Sequence, residues 1–249
     1  NNVLSTTNSL AIAEEGIWQA IQRIPQNGET WALLGIILKR QGQFKAAMQA
    51  LDVARTLEPT LGSGIFPELW QAALHAKDTQ AMQTLVRTYS RQHRETPLAI
   101  YYRAETLLTL GEAEIARDLL IASMDQTSPA LLWYTLGRAY MRTHAWNEAV
   151  MSLETAKTRI ASGDESLRFM DKTALMGLRL ALGQAYLHAG QCAQAEQILR
   201  DLVAEAALVA EAALETNAPA STPYPDLAPL IRDAVICQTP TPTWTPWMI

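Results

Sequence analysis

Histidine and cysteine, the side chains best suited to nucleophilic chemistry and metal binding, are few and scattered in this 249-residue chain. Each histidine falls in a different part of the sequence: His75, His93, His144 and His188. The two cysteines, Cys192 and Cys237, cannot build a disulfide framework or a Cys-rich zinc site. Two alternatives stay open for them, a pair of free thiols or one disulfide near the C-terminus. We therefore expect no metal site and no cofactor.

The short motifs of common enzyme chemistry are also absent. The sequence contains no Gly-rich phosphate loop, no H-E-x-x-H, no G-x-S-x-G and no Cys-x2-Cys. Its many glutamates lie at helical spacing among Ala and Leu, where solvated helix faces with i,i+4 pairs account for them. We expect no catalytic residues, and we predict that the protein is not an enzyme.

Composition and charge narrow the classes of partner and structure. The net charge is -5 and the pI is about 5.4, so the surface lacks the cations that neutralise phosphates, and we expect no nucleic acid partner. Ala, Leu, Gln and Glu are abundant, which favours helices over strands. No apolar run reaches the ~20 residues of a transmembrane span. The chain begins with Asn rather than Met, so a removed signal or anchor, and the compartment, stay open.

One stretch carries a helical hairpin pattern. Its first helix presents Trp133, Leu136, Gly137 and Tyr140 on one face, and its second presents Ala149, Leu153 and Ala156. This pattern resembles the tetratricopeptide repeat (TPR), W-x2-L-G-x2-Y followed by A-x3-F, with Leu153 in place of the Phe and without the closing Pro. The resemblance implies an all-α, right-handed superhelical solenoid of TPR-like hairpins that binds other proteins.

The small residue that opens the second helix of each hairpin recurs along the chain. It is found at Ala13, Ala47, Ala81, Ala116, Ala149 and Ala195, at spacings of 34, 34, 35, 33 and 46. The last spacing is one period plus an insertion of 12 residues after residue 161. We predict a half repeat over residues 1–27 and repeats over about 28–61, 62–95, 96–129, 130–163 and 176–209, together forming a solenoid domain over 1–216. Pro67 is expected to delay the first helix of its repeat.

The C-terminal region changes in composition. We predict a linker and capping helix over residues 217–237, followed by an extended Pro/Thr-rich tail over 238–249. Trp244 and Trp247 in this tail are candidate contacts. They fit an apolar groove in the same chain, a neighbouring copy in a self-associated form, or peripheral contact with a membrane interface. A plain linker to a further segment is the alternative.

In the TPR resemblance, the first helices line a concave groove that holds a partner segment. Counting from the packing positions assigns to this groove Lys39, Tyr101, Glu105, Tyr134, Arg138, Met141, Leu180, Gln184 and Leu187. Their apolar and aromatic character suits a partner with hydrophobic anchors, as in a scaffold, assembly factor or adaptor subunit. Two alternatives remain: some of these residues pack between repeats, or the irregular region over 62–97 binds a small ligand as a regulatory sensor.

Overall fold

The computed structural model describes residues 2–94, 96–167, 174–215 and 226–238. Over these residues the chain forms twelve α-helices and no strand. The helices are α1 (Asn2–Arg23), α2 (Gly28–Arg40), α3 (Phe44–Leu57), α4 (Gly62–His75), α5 (Thr79–Gln92), α6 (Pro97–Thr109), α7 (Ala113–Ser123), α8 (Ala130–Arg142), α9 (Trp146–Ala161), α10 (Ala174–His188), α11 (Cys192–Glu215) and α12 (Ala228–Gln238). The all-α helical-repeat fold expected from the pattern is confirmed.

The chain divides into two compact units, Asn1–Arg94 and Glu95–Ile249. In the first unit α2 and α3 form a hairpin, with α1 packed on α2 and α4 packed on α3. Its apolar core joins successive helices through Ile21, Leu34, Leu38, Leu51, Ile65 and Leu69. The segment predicted as a half repeat, residues 1–27, forms one helix, α1, which ends at Arg23, ahead of Pro25.

Pro67 does not delay its helix, contrary to the expectation from sequence. A 3-10 turn over Pro59–Leu61 leads directly into α4, which begins at Gly62 and contains Pro67. The proline removes one intrahelical hydrogen bond in the second turn. Ile65 and Phe66 are both buried in this first part of α4, and such tertiary packing favours the earlier start.

In the second unit, α6 and α7, α8 and α9, and α10 and α11 form successive hairpins, and α12 packs against α11 and α10. Three glycines mark equivalent positions in the two units: Gly35, Gly137 and Gly183. A Cβ at Gly35 or Gly137 would lie 2.5 Å from the Cγ of Leu51 or Leu153, and one at Gly183 would lie 2.8 Å from Leu199 Cδ2. Glycine is therefore needed where the two helices of a hairpin approach most closely.

Cys192 and Cys237 form a disulfide, with their Cα atoms 5.8 Å apart and a sequence separation of 45. Of the two alternatives left open by sequence, the structure therefore has the single disulfide. It links the first residue of α11 to the last turn of α12. The C-terminal helix is thus covalently attached to the last hairpin of the second unit.

Candidate functional site

The predicted groove residues of the second unit lie on three neighbouring helices. Tyr101 and Glu105 are on α6, Tyr134, Arg138 and Met141 on α8, and Leu180, Gln184 and Leu187 on α10. Within each helix they are spaced by three or four residues, which places them on one face. Because α6 packs on α8 and α8 on α10, the three faces are adjacent. We call this surface the α6–α8–α10 face.

An ion pair joins the first two helices of this face. The carboxylate of Glu105 pairs with the guanidinium of Arg138. The Glu105 side chain is only 7% exposed, whereas that of Arg138 is 33% exposed. Burial raises the pKa of the Glu105 carboxyl, and Arg138 and a hydrogen bond from Thr135 act in the opposite direction. Glu105 therefore lies beneath the surface, where it holds Arg138 in place rather than meeting a partner.

Tyr134 fixes Arg138 from the other side. The guanidinium carbon of Arg138 lies 5.5 Å from the centre of the Tyr134 ring, a cation–π distance. The hydroxyl of Tyr134 reaches α10, where a Cβ at Gly177 would lie only 3.0 Å from it. Tyr101 is half-buried, and this burial, assisted by the nearby Glu105 carboxylate, raises the pKa of its hydroxyl. Both tyrosines therefore contribute to packing between helices as well as to the face.

The remaining predicted residues divide between this face and other surroundings. Met141, Gln184 and Leu187 are partly buried. Leu180 packs in a cluster covered by α12. Lys39 lies in the first unit, where it pairs with Glu68 and donates a hydrogen bond to Gln71 Oε1 at 2.6 Å. Trp244 and Trp247 lie outside the described residues.

The histidines are not gathered into one site. His75 stacks on Phe44 at 4.9 Å in the first unit, and His188 stacks on Trp146 at 4.2 Å in the second. In both cases a histidine ending one helix packs on an aromatic residue that begins an earlier helix. The sequence alone did not predict these contacts, although it shows that His75 and His188 both lie close to hairpin turns. Among the described residues, no group of three or more His, Cys, Asp or Glu could hold a metal ion.

Cavities among the described residues also lie away from the α6–α8–α10 face. One of those in the first unit has a volume of about 440 Å³. Its lining includes Arg55, Ser63, Phe66, Tyr89, Gln92 and His93. Phe66 and Tyr89 stack there at 4.0 Å, and Tyr89 and His93 approach to 4.4 Å. These aromatic rings suit a planar or apolar ligand with polar substituents.

A cavity in the second unit has a volume of about 540 Å³ and lies between α9, α10 and α11. Its two cations are already paired, Lys157 with Glu154 and Arg179 with Glu205. The hydroxyl of Tyr186 also bonds the carboxylate of Glu154. This cavity therefore offers little charge for a ligand.

Neither comparison by sequence identifies relatives: no protein-family profile matches the chain, and no curated protein matches it. Comparison with solved structures does find matches. A chain of the APC/C hetero-tetramer Cut9–Hcn1 matches with a TM-score of 0.62 and 17% identity, and the match covers 92% of this chain and 46% of the matched chain. A monomeric IFIT1 mutant with Gppp-AAAA matches with a TM-score of 0.55 and 15% identity, and the match covers 92% of this chain and 53% of the IFIT1 chain. A human IFIT1 dimer with PPP-AAAA matches with a TM-score of 0.51 and 17% identity, again covering 92% and 53%.

The chain spans about half the length of the solved chains that it matches. At these identities the likeness concerns the fold alone. The expected exclusion of nucleic acid gains no support from it, because two of the matched structures hold IFIT1 with Gppp-AAAA or PPP-AAAA. In the described part of the chain, no helix has the length and apolar character to cross a bilayer. The matched structures are TPR-type helical-repeat proteins, and this chain has a TPR-like fold.

Proposed function

We propose that this chain is a protein-interaction scaffold or adaptor that binds a segment of another protein on the α6–α8–α10 face. The observation that carries the proposal is the position of Arg138. Its guanidinium is held between the buried Glu105 carboxylate and the Tyr134 ring, yet one third of the side chain stays exposed. An arginine fixed in this way loses little conformational entropy on binding and keeps further N–H donors for a partner's carbonyl or carboxylate oxygens.

The surroundings of Arg138 supply apolar contact area. Met141 follows it on the same face of α8, and Leu187 occupies the corresponding position on α10. Arginine and tyrosine are the residues most often found at the energetic centre of protein interfaces, and methionine adapts to varied partner shapes. We infer that the partner presents a hydrophobic anchor beside a hydrogen-bond acceptor.

Two methionines of one hairpin provide a matched test. Met141 is on the proposed face, whereas Met151 on α9 is 70% exposed. Wild type, Met141→Glu and Met151→Glu would be immobilised and exposed to an extract of the native source, and the retained proteins quantified by mass spectrometry. The proposal expects Met141→Glu to lose a partner by at least about tenfold while Met151→Glu keeps it. The reverse pattern, or equal retention by all three, would overturn it.

A second candidate function rests on the 440 Å³ cavity of the first unit. We propose that a small ligand binding there would make the chain a regulatory sensor. Thermal shifts with a panel of small molecules would test it, because a ligand that binds only the folded state raises the melting temperature. Gln92→Ala, in the cavity lining, should reduce such a shift, whereas Gln83→Ala on the same helix should not. A shift unaffected by Gln92→Ala contradicts this site.

A further inference from the structure

The C-terminal helix covers an apolar cluster at the end of the second unit. Leu199, Leu202 and Leu227 are buried in this cluster. Partly buried residues packed around them are Met176, Leu180, Ile198, Leu230 and Ile231. The helices α10 and α11 thus form an apolar platform, which we call the end platform, and α12 lies on it.

Leu227, which directly precedes α12, and three residues of α12 itself have the pattern of a helical ligand. Leu227, Leu230, Ile231 and Ala234 follow at i, i+3, i+4 and i+7, which is one stripe of a helix. Leu227 and Ala234 are buried, and Ala234 is fully so. The fourth position of the stripe therefore requires a small side chain. This pattern predicts that the platform binds an amphipathic helix with three aliphatic residues and one small residue.

The other attachments of α12 within the described residues gather at one end. The Cys192–Cys237 disulfide lies in its last turn. Next to it, Gln238 Nε2 donates to Glu196 Oε2 at 2.6 Å and lies 3.4 Å from the Cys192 carbonyl oxygen. An 11-residue helix is too short to be stable alone in water. The helical state of α12 therefore depends on its contact with the platform, and the disulfide keeps that contact from being lost.

We propose that the end platform is a docking site for an amphipathic helix, that α12 is its resident occupant, and that the Cys192–Cys237 disulfide controls whether a second helix of the same pattern can take its place. With the disulfide formed, α12 cannot leave. With it reduced, α12 and a competing helix exchange on the platform. Leu180 also belongs to the α6–α8–α10 face, so release of α12 from the platform would extend that face. Only this last consequence rests on the proposed function.

The chemistry of release is thiol–disulfide exchange with a small thiol or a dithiol protein as reductant. Cys237 is exposed, whereas Cys192 is buried, so the thiolate of the reductant attacks the Cys237 sulfur. The Cys192 thiolate leaves and takes up a proton. A second thiol then attacks the mixed disulfide, frees the Cys237 thiol and departs as the oxidised reductant. Two electrons and two protons pass to the protein, and exposed disulfides are the ones that react in this way most readily.

The reductant acts at one place only, because the chain has two cysteines and both are in this disulfide. Hydrogen exchange on the full chain would therefore be compared with and without dithiothreitol. We expect the amides of α12 to exchange roughly 100-fold faster or more in the reduced form, since the closed loop no longer limits opening. Unchanged protection of α12 after complete reduction would overturn the proposal.

Docking itself would be tested with a labelled synthetic peptide of residues 226–238 carrying Cys237→Ser, followed by fluorescence anisotropy. The proposal expects binding to the reduced chain and at least about tenfold weaker binding to the oxidised chain. A peptide that also carries Ala234→Arg is the matched control and should bind neither form. No binding to the reduced chain, equal binding to both forms, or equal binding of the control peptide would each refute the docking site.

A Cys192→Ser/Cys237→Ser chain should bind the peptide without any reductant, provided that its circular dichroism matches that of the reduced wild type. If it keeps that spectrum and does not bind, the disulfide is not the controlling element. None of these readouts uses a partner of the α6–α8–α10 face. Their failure is therefore distinguishable from failure of the proposed function.

Discussion

The carboxylate of Asp164 accepts a hydrogen bond from the backbone N–H of Ala130 at 2.8 Å, across 34 residues of sequence. Ala130 is the first residue of α8, whose own N-cap, Pro129, makes no side-chain capping bond. Ser166 adds a second bond, its Oγ accepting from Leu131 N–H at 3.1 Å. The loop after α9 thus caps the start of α8, the helix that carries Arg138. A loop that interrupts the repeat period therefore has a structural role.

We predict that Asp164→Ala lowers the free energy of unfolding by about 1 kcal/mol, the usual effect of removing a capping side chain. Urea denaturation at neutral pH measures it. Asp118→Ala is the control, because Asp118 is exposed and pairs with the adjacent Arg117, and its effect should stay within about 0.5 kcal/mol. Equal effects of the two substitutions would contradict the capping role.

The effect of Asp164→Ala should depend on pH. Burial opposes ionisation, but hydrogen bonds from Ser166 and from the Ala130 N–H outweigh it and lower the pKa of Asp164 below its ordinary 3.8. A carboxylate with a lowered pKa in the folded state stabilises the fold above the unfolded value, and this contribution is lost as pH falls through the folded value. The difference between wild type and variant should therefore shrink below about pH 4, as measured by urea denaturation across acidic pH.

Two glycine substitutions should change stability in opposite directions. Gly137→Ala places a Cβ 2.5 Å from Leu153 Cγ, so the α8–α9 hairpin must open, at a cost of about 1–3 kcal/mol. Gly16→Ala in α1 meets nothing within 4 Å and should stabilise by about 0.5–1 kcal/mol. Chemical denaturation of both variants measures the pair. A neutral Gly137→Ala would show that close helix approach is not what requires glycine there.

The hydroxyl of Tyr186 on α10 bonds the carboxylate of Glu154 on α9. We predict that Tyr186→Phe costs about 1 kcal/mol, whereas Tyr140→Phe, whose hydroxyl has no hydrogen bond within the described residues, costs less. Burial first, and then the Glu154 carboxylate, raise the pKa of Tyr186. The contribution of Tyr186 is therefore present below the ordinary tyrosine pKa of about 10 and is lost only as pH rises through the higher folded value. Urea denaturation at neutral and alkaline pH compares the two variants.

The repeat architecture was readable from sequence because one packing contact recurs. Each of the three close-approach glycines meets a leucine 16 positions later, in a hairpin whose turn length is constant. That regularity gives the period, the helical hairpins and the α6–α8–α10 face. It depends on neighbours in sequence, so no long-range information is needed.

The features that sequence did not reveal depend on contacts between segments that are distant in sequence. The partner of Asp164 is one example, and the pairing of Cys192 with Cys237 is another, because spacing alone does not bring cysteines together. Glu105 is a third example. A helical count assigns it to the concave face, whereas in the structure it is buried and pairs with Arg138 of α8.

We predict that Arg138→Met lowers the free energy of unfolding by about 2–3 kcal/mol, because it leaves the Glu105 carboxylate buried without its cation. The partial exposure of Arg138 keeps this loss below that of a fully buried ion pair. Arg103→Met, at an exposed arginine on α6, is the control and should have little effect. Urea denaturation at neutral pH gives the comparison.

The loss caused by Arg138→Met should be larger at neutral pH than near pH 5. Burial raises the pKa of Glu105 above its ordinary 4.5, and the Arg138 guanidinium opposes that rise. Without Arg138 the folded pKa moves higher, so stability is present below the ordinary value and lost as pH rises toward neutrality. Adding Glu105→Gln removes the buried charge and should recover at least half of the neutral-pH loss. A pH-independent loss, or no recovery in the double variant, would mean that Arg138 stabilises α8 through packing of its aliphatic stem.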